Sequence, residues 1–508
     1  MKNIFKKSVV AAGLSAVLLS TAGCSDFLDQ EVPGAVTADV FYETEEEALQ
    51  ATTAIYDGLT AHYNSVWASS YLLRTLLSDE SNAGGSGFGD QPAYQSLDDY
   101  TFDASNDVVE GVWRITYNAI FNANRVINRV EPTTELRERL IAEAKVLRAY
   151  AYLDLVSLWG PVPIVLDNLD PGEWSSTIRN PVEEVYAQIE QDLKEAIEVL
   201  PVKSGYGPSN LFRVTQGTAQ ALLGKAYLYQ ERWAEAAAMF DLVITSGEYG
   251  LEPSVGAVFS PAGEFGQESV FELSYNPTEG YDWGSFPWDW RPESNIHIQL
   301  MGPRADYYTK APEDSLIGGW GFNTPREELF LEFVESGEIE GERYWATIMT
   351  EEQLIELGGN WTAPDAYDYE GFFQRKYGTY VTQSQSGVTE LNYGTNWRLI
   401  RYADVLLMAA EANFRAGDEA QALLYLNMVR ERSELEPVSA TGEALFQAIV
   451  DERELELAFE GFRFIDLVRW GLAEEELGHL GFEAGKNELL PIPVLDVTAY
   501  GLEQNPGF

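Results

Sequence analysis

Cysteine, histidine and basic residues are scarce in this chain of 508 residues, and each scarcity argues against a class of function. Cys24 is the only cysteine, so the chain can form neither an intramolecular disulfide nor a cluster of thiolate metal ligands. The three histidines lie far apart in the sequence, which argues against a histidine-based metal site or a catalytic triad. Lys and Arg number 33 against 81 Asp and Glu, and a formal net charge of −48 would be repelled by phosphate backbones. We therefore expect no nucleic-acid partner.

Familiar catalytic motifs are missing as well. The chain contains no Gly-x-Ser-x-Gly, His-Glu-x-x-His, phosphate-loop or dinucleotide-binding motif. Carboxylates are plentiful, and a pair of them can hydrolyse a glycosidic bond if the two lie about 5–10 Å apart and one has a raised pKa. The sequence gives neither quantity. We predict no catalytic residue and no enzyme activity, and we keep a surface glycoside hydrolase as an alternative.

The first 23 residues have the pattern of a secretory signal. Lys2, Lys6 and Lys7 precede an apolar stretch over 9–19, and Thr-Ala-Gly leads into Cys24. This order resembles a bacterial lipoprotein signal, whose cysteine is acylated and becomes the mature N-terminus; a plain signal peptide is the alternative. A membrane span needs about 20 apolar residues, and neither this stretch nor any later one reaches that length. We expect attachment to the membrane through lipid alone.

An acidic segment over 24–40 follows the signal. An acidic stretch directly behind a lipid-bearing cysteine resembles the export tag that sends some bacterial lipoproteins to the outer cell surface. A solvated tether between the lipid and the folded domain is the alternative, and charge alone does not separate the two.

Apolar residues recur at helical spacing in the first part of the chain. The stretches 108–126, 140–158 and 185–200 each place apolar residues three or four positions apart, which predicts one buried face on each helix. Gly160 and Pro161 should end the second of these helices. Strand patterns are rare in the same region, so the sequence favours a mainly α fold.

Small and aromatic residues alternate at two places in the manner of tetratricopeptide repeats. The first pair of segments is 223–227 with 236–240, and the second is 409–414 with 420–429. Alanine and glycine let paired helices approach closely, and an aromatic ring fills the space opposite. We predict a tetratricopeptide-like helical-repeat scaffold over about 41–246 and 397–470.

The segment over 247–396 breaks this regularity. It is rich in Gly, Pro, Trp and Tyr, with helical fragments near 327–334 and 351–357. A loop region of that size is rare in a compact domain unless it is functional. We interpret it as a loop-rich insertion that forms the ligand face of a single domain over 41–508. A smaller glycine-rich loop over 81–89 interrupts the first helices.

Aromatic residues are densest at 281–290, where five of ten residues are Phe, Trp or Tyr against 13% in the whole chain. Indole and phenol rings offer flat apolar faces with polar edges, which suit the C–H face of a sugar ring. The alternative is that these rings pack the insertion onto the scaffold. The predicted ligand-binding residues are Trp283, Trp288 and Trp290, with Tyr307, Tyr308 and Trp320 as weaker candidates. Side chains expected to bond sugar hydroxyls are Asp282, Asp289, Arg291 and Asn295.

Charged residues alternate with apolar ones over 451–470, a pattern that could suggest an active site. Glu460, Arg463, Asp466 and Arg469 lie three residues apart, close enough to pair on a helix face. We interpret the segment as structural, an ion-pair lattice that locks two helices together.

Five blocks of the sequence resemble the SusD/RagB family. They occur in the family's order and extend the resemblance over nearly the whole chain; they lie at 148–163, 397–412, 452–470, 490–493 and 504–508.

Resemblance to this family implies an outer-membrane lipoprotein at the cell surface, built on tetratricopeptide-like helix pairs. Such proteins form a lid on a SusC-type TonB-dependent transporter and capture oligosaccharides, or in some members peptides, for import. They are not enzymes and need no cofactor, although some bind calcium. The family's motifs belong to the scaffold, so no sugar-contact residue carries over to this chain.

These observations together predict a non-catalytic glycan-binding lipoprotein with a SusC-like transporter as its partner. A peptide-capturing member of the same family is the main alternative. The sequence does not choose the sugar, its linkage or its chain length.

Overall fold

The computed structural model of the protein describes residues 42–65, 67–167, 177–288, 292–309, 316–385 and 387–508. The predicted signal over 1–23, the acylated Cys24, the tether over 24–40 and the candidate Trp290 lie outside these ranges and stay predictions. No helix within the described ranges combines enough length and apolar character to cross a bilayer.

Long helices fill the first half of the described chain, and several begin at a capping side chain. Thr44, Asn106, Thr134 and Thr215 each accept a hydrogen bond from a backbone N–H of the first helical turn, which would otherwise lack a partner. The helices are α1 (Glu45–Asn64), α2 (Ser70–Thr75), α3 (Pro92–Asp98), α4 (Asp107–Arg129), α5 (Glu135–Trp159), α6 (Val182–Ile197), α7 (Gln216–Tyr229) and α8 (Trp233–Thr245).

Short helices and strands dominate the insertion, and longer helices return after it. The further helices are α9 (Val255–Val258), α10 (His297–Met301), α11 (Glu327–Glu335), α12 (Glu342–Thr347), α13 (Glu351–Glu356), α14 (Tyr402–Ala416), α15 (Glu419–Arg432), α16 (Glu443–Leu457), α17 (Arg463–Trp470), α18 (Ala473–Leu477) and α19 (Val494–Tyr500).

Successive helices pack side by side along the scaffold. Helix α4 contacts α1 and α5, and the chain of contacts continues through α6, α7 and α8 to α14 and α15. The predicted close approach occurs at Gly224 in α7, where a Cβ atom would lie 2.6 Å from Cε1 of the buried Phe240 in α8. The fold is mainly α and tetratricopeptide-like, as the sequence predicted.

Replacing Gly224 with valine is expected to lower the free energy of unfolding by about 1–3 kcal/mol, because the added carbons overpack the contact with Phe240. Chemical denaturation measures the change. Gly478→Ala serves as the control, since nothing lies within 4 Å of its added Cβ. A Gly224→Val protein as stable as the wild type would mean that α7 and α8 need no close approach there.

The chain forms four two-stranded antiparallel sheets within its described ranges. Two of them connect the insertion to the scaffold, and two pair strands within the insertion. The first sheet joins the strand that follows α2 to the insertion, and the second joins the insertion to the strand that follows it. The pairs are β1 (Ser81–Gly84) with β4 (Phe322–Pro325), β2 (Ser269–Leu273) with β8 (Trp397–Arg401), β3 (Tyr308–Thr309) with β6 (Asn360–Trp361), and β5 (Ile348–Thr350) with β7 (Phe372–Gln374).

A buried group of ion pairs centres on Glu456 in α16. Its carboxylate contacts Arg401 at 2.5 Å and Arg343 at 3.3 Å, and it also pairs with Arg432. Burial alone would raise the pKa of Glu456, but the guanidinium groups of Arg432, Arg401 and Arg343 hold this pKa well below its usual range. Because Arg343 belongs to α12 of the insertion and Glu456 to α16 of the scaffold, this ion-pair group fastens the insertion to the scaffold.

The charged segment over 451–470 is structural, but its partners differ from those expected from helical spacing. Within the segment only the pair of Asp466 and Arg469 follows the predicted three-residue spacing, at 2.8 Å. Arg463 instead binds Asp79 at 2.7 Å, and Glu460 binds Lys376 at 2.9 Å. Two further ion pairs join α16 to α17: Arg453 with Asp466 at 2.8 Å and Glu454 with Arg463 at 2.7 Å. The segment therefore locks these two helices together, as predicted, and also ties them to distant parts of the chain.

Candidate functional site

Four tryptophans from three separate segments of the chain form a row, here called the tryptophan row: Trp283, Trp288, Trp320 and Trp67. Successive ring centroids lie 6.0, 6.3 and 6.3 Å apart, and the ring planes differ by only 13°, 21° and 26°. At these separations near-parallel rings are displaced sideways, so each leaves part of its face uncovered. The two ends of the row are the most exposed, at 53% for Trp283 and 39% for Trp67.

Buried side chains pack against the tryptophan row on the side of the protein interior. Phe286 is buried and its ring centroid lies 4.6 Å from that of Trp288. Phe286 also packs with Ile296 and Leu391 in a small core of the insertion. Trp288 is therefore half-buried against a fixed base, so the same aromatic segment both packs the insertion and presents indole faces to solvent.

A turn over 282–286 holds Trp283 outward. The carboxylate of Asp282 accepts hydrogen bonds from the backbone N–H groups of Gly284 and Ser285, at 2.8 and 2.9 Å. These bonds lower the pKa of Asp282, because they stabilise its charged form. The exposed carboxylate keeps lone pairs that can accept a hydrogen bond from a hydroxyl group.

Backbone contacts fix Trp320 at the centre of the row. Its N–H donates to the carbonyl oxygen of Gln299 at 2.9 Å. Its carbonyl oxygen accepts a hydrogen bond from Nη1 of Arg304 at 2.9 Å, and Nη2 of Arg304 lies 2.9 Å from Asp306. Both backbone polar groups of Trp320 are held by hydrogen bonds, which reduces the conformational entropy that this residue would lose on binding a ligand.

Carboxylates lie near Tyr281, two residues before Trp283 in the chain. The hydroxyl of Tyr281 accepts a hydrogen bond from the N–H of Glu293, and the Tyr281 ring packs on Phe286. Burial raises the pKa of Glu293, and the neighbouring Asp57 and Glu279 raise it further. Flat apolar faces flanked by hydrogen-bond acceptors suit a polyhydroxylated ligand.

The other described candidates contact residues that are not part of the row. Tyr307 packs edge-on against Trp361, with ring centroids 5.8 Å apart, and Tyr308 is buried. Asn295 is fully buried and donates to the carbonyl oxygen of Thr395, so the expectation that it bonds sugar hydroxyls is wrong. The reason is that the chain turns inward after the aromatic segment. Asp289, Trp290 and Arg291 lie outside the described residues.

Trp67 was not identified from the sequence. It lies in the short link between α1 and α2, where Ser65 caps the end of one helix and Ser69 the start of the next. Because Trp67 lies between two helix caps, it belongs to the apolar face of neither helix. A large aromatic residue in such a link could have indicated a role at the surface.

Two histidines are core residues. His62 lies between Asp154, at 3.0 Å, and Thr116, at 3.1 Å, an order like that of a catalytic triad. His62 is only 1% exposed, so no substrate reaches it. His297 is also buried and contacts Ser69. Within the described ranges, no three His, Cys, Asp or Glu side chains are arranged to hold a metal ion.

Comparison with known proteins gives consistent matches along the chain. Residues 298–507 match the profile described as the SusD family, and residues 26–228 match one described as starch-binding associating with outer membrane. SusD-like protein P2 of Formosa agariphila is 26% identical over 97% of this chain and 98% of its own length.

Solved structures with the same fold include a laminarin-binding protein and a complex with an oligosaccharide. A laminarin binding SusD-like protein superposes with a TM-score of 0.83 and 33% identity, over 92% of this chain and all of the other. Surface glycan-binding protein A from Bacteroides thetaiotaomicron, in complex with laminarihexaose, superposes with a TM-score of 0.76 and 25% identity, over 91% of this chain and 99% of the other.

Proposed function

This chain belongs to the SusD family, and from that premise we propose that it is a cell-surface glycan-binding lipoprotein that captures oligosaccharides for a TonB-dependent outer-membrane transporter. Capture takes place on the tryptophan row. Binding occurs without turnover and needs no cofactor. The lipid on Cys24 holds the protein at the outer membrane, and the helical scaffold docks on a SusC-like partner.

The tryptophan row carries this proposal. Indole faces pack against the C–H face of a pyranose ring, and each such contact buries apolar area that is otherwise exposed to water. Four near-parallel rings in a line offer successive contacts to a chain of sugars, which favours an oligosaccharide over a monosaccharide. The relatives named for laminarin and laminarihexaose make a β-glucan the first ligand to try.

Modest affinity suits such a function. Stacking on a few rings and a small number of hydroxyl bonds should give a Kd on the order of micromolar to millimolar, or about −8 to −4 kcal/mol. Cargo held more tightly would leave slowly, because affinity differences between related ligands lie mostly in the dissociation rate. A capture protein must release its ligand into the transporter.

A binding screen on protein that begins after Cys24 tests the proposal. Laminarin-type and starch-type oligosaccharides and a set of oligopeptides are titrated by calorimetry, and reducing-end release is followed in parallel. The proposal expects binding of at least one glycan without release of reducing ends. Binding of peptides alone would favour the peptide-capturing alternative, and sugar release would favour a hydrolase. Co-purification of the lipidated protein with a SusC-like transporter tests the partner.

Trp288→Ala is expected to weaken glycan binding about tenfold, equivalent to about 1.4 kcal/mol, because Trp288 contacts a ring on each side in the row. Calorimetric titration gives the ratio of dissociation constants. Trp345→Ala is the matched control, since Trp345 is a partly exposed tryptophan, at 37%, that packs against Arg375 and not in the row. Equal binding by wild type and Trp288→Ala would remove Trp288 from the site.

A further inference from the structure

The glycine-rich loop over 85–90, here called the Phe88 loop, presents a large apolar side chain to solvent. Phe88 at its tip is 60% exposed. Both neighbours are glycines, and nothing lies within 4 Å of the position that a Cβ would take at Gly87 or Gly89. The tip therefore has open space on either side, and glycine gives its backbone more conformational freedom than any other residue would.

The base of the Phe88 loop, in contrast, is firmly held. The N–H of Gly85 donates to the carbonyl oxygen of Gly321 at 2.6 Å. The carboxylate of Asp90 accepts a hydrogen bond from the N–H of Ser86 at 2.9 Å, and the N–H of Asp90 donates to the carbonyl oxygen of Gly87 at 2.8 Å. A fixed base with a free tip places Phe88 over a defined part of the surface.

That part of the surface adjoins the centre of the tryptophan row. Gly321, which receives the hydrogen bond from Gly85, follows Trp320 directly in the chain. The Nη1 atom of Arg304 donates to the carbonyl oxygen of Trp320 and lies 3.6 Å from Oδ2 of Asp90. One guanidinium group thus joins the peptide of a row residue to the loop whose tip carries Phe88.

We propose that Phe88 is a further ligand-contact residue, which packs against a pyranose ring bound at Trp320 and closes the row from the side. This inference rests on the proposed function and concerns the same site. The ligand class is a sugar ring with an apolar C–H face, which a phenyl ring contacts without any hydrogen bond. Gly87 and Gly89 let the tip adjust to the ligand, while Arg304 and Asp90 keep its base in place.

Phe88→Ala tests the proposal, with an expected weakening of glycan binding of about five- to tenfold. Phe88→Tyr should bind as the wild type does, because the ring is kept. Phe121→Ala is the control, as Phe121 is 44% exposed but lies on α4 and packs on Arg125. Hydrogen exchange gives a second measurement, in which added glycan should slow amide exchange over 86–90 in the wild type and less in Phe88→Ala.

The outcomes separate this inference from the function on which it rests. If the wild type binds no glycan, the proposed function fails and this inference fails with it. If Trp288→Ala weakens binding while Phe88→Ala does not, the proposed function stands and the contact by Phe88 is overturned. A third outcome would also overturn the contact between Phe88 and the glycan. In that outcome the Phe88→Ala protein binds glycan normally but no longer co-purifies with the transporter, and Phe88 is then a contact with the partner protein.

Discussion

Replacing Arg401 with methionine is expected to lower the free energy of unfolding by about 3–5 kcal/mol, a large part of the stability of a typical domain. Arg401 is fully buried and binds Glu268 at 2.7 Å, Glu456 at 2.5 Å and Glu460 at 2.7 Å. Methionine has a similar length but no charge. The substitution removes one positive charge that three buried carboxylates share. A buried charge without a partner is strongly unfavourable.

Urea denaturation of the two proteins measures this loss. Arg114→Met is the control, because Arg114 is exposed on α4 and its replacement should change stability by less than about 0.5 kcal/mol. Adding Glu460→Gln to Arg401→Met should restore part of the loss, since one cation and one carboxylate are then removed together. A change below about 1 kcal/mol in the single variant would show that the ion-pair group does not fasten the insertion.

Replacing Glu80 with glutamine is expected to stabilise the protein at pH 8 by about 4–5 kcal/mol. The pKa of Glu80 is raised from 4.5 to about 8, chiefly by burial and also by the neighbouring Asp79, while Arg463 and Lys376 act in the opposite direction. The folded protein therefore holds a proton on Glu80 that the unfolded chain releases above about pH 4.5. Unfolding is favoured as the pH rises through this window, so Glu80 lowers the free energy of unfolding between pH 4.5 and 8. Glutamine mimics the protonated form and removes that dependence.

Denaturation at a series of pH values from 5 to 8 checks this sign. The difference in stability between Glu80→Gln and the wild type should grow by up to about 1.4 kcal/mol per pH unit. Glu198→Gln, at an exposed helix end, should follow the wild type. The comparison uses the difference in unfolding free energy between the two proteins, because other charged groups near Glu80 also affect how each protein's stability changes with pH. These groups are Asp79, Glu454, Arg463 and Lys376. A constant difference across the series would contradict a protonated Glu80.

Local signals in the sequence predicted the helices well, because helical periodicity and end signals act over a few residues. The apolar spacing over 140–158 corresponds to α5, which ends at Trp159 before Gly160 as expected. The fragments predicted near 327–334 and 351–357 are α11 and α13. The spacing over 185–200 extended slightly too far, since α6 ends at Ile197 and the chain turns before Pro201.

Contacts between distant segments determine the candidate site, and the sequence shows them poorly. The composition of 281–290 indicated Trp283 and Trp288, but nothing local relates either of them to Trp67 in the link after α1. Asn295 illustrates the opposite error, because closeness in sequence suggested a shared surface and the chain instead turns into the core. The predicted partner of Glu460 was wrong for a similar reason. Its actual partners, Lys376 and Arg401, lie far from it in the sequence, and helical spacing indicates only partners within the same helix.

The shared carboxylate of Glu456 also links the position of the insertion to that of the scaffold. Arg343 of the insertion and Arg432 of the scaffold meet at this one side chain, deep inside and away from water. Relative motion of the two parts would separate a buried ion pair, which is strongly unfavourable, so they are expected to move as one body. Trp283, Trp288 and Trp320 belong to the same insertion, so the surface that they form is expected to keep its orientation relative to the helices when the whole molecule reorients.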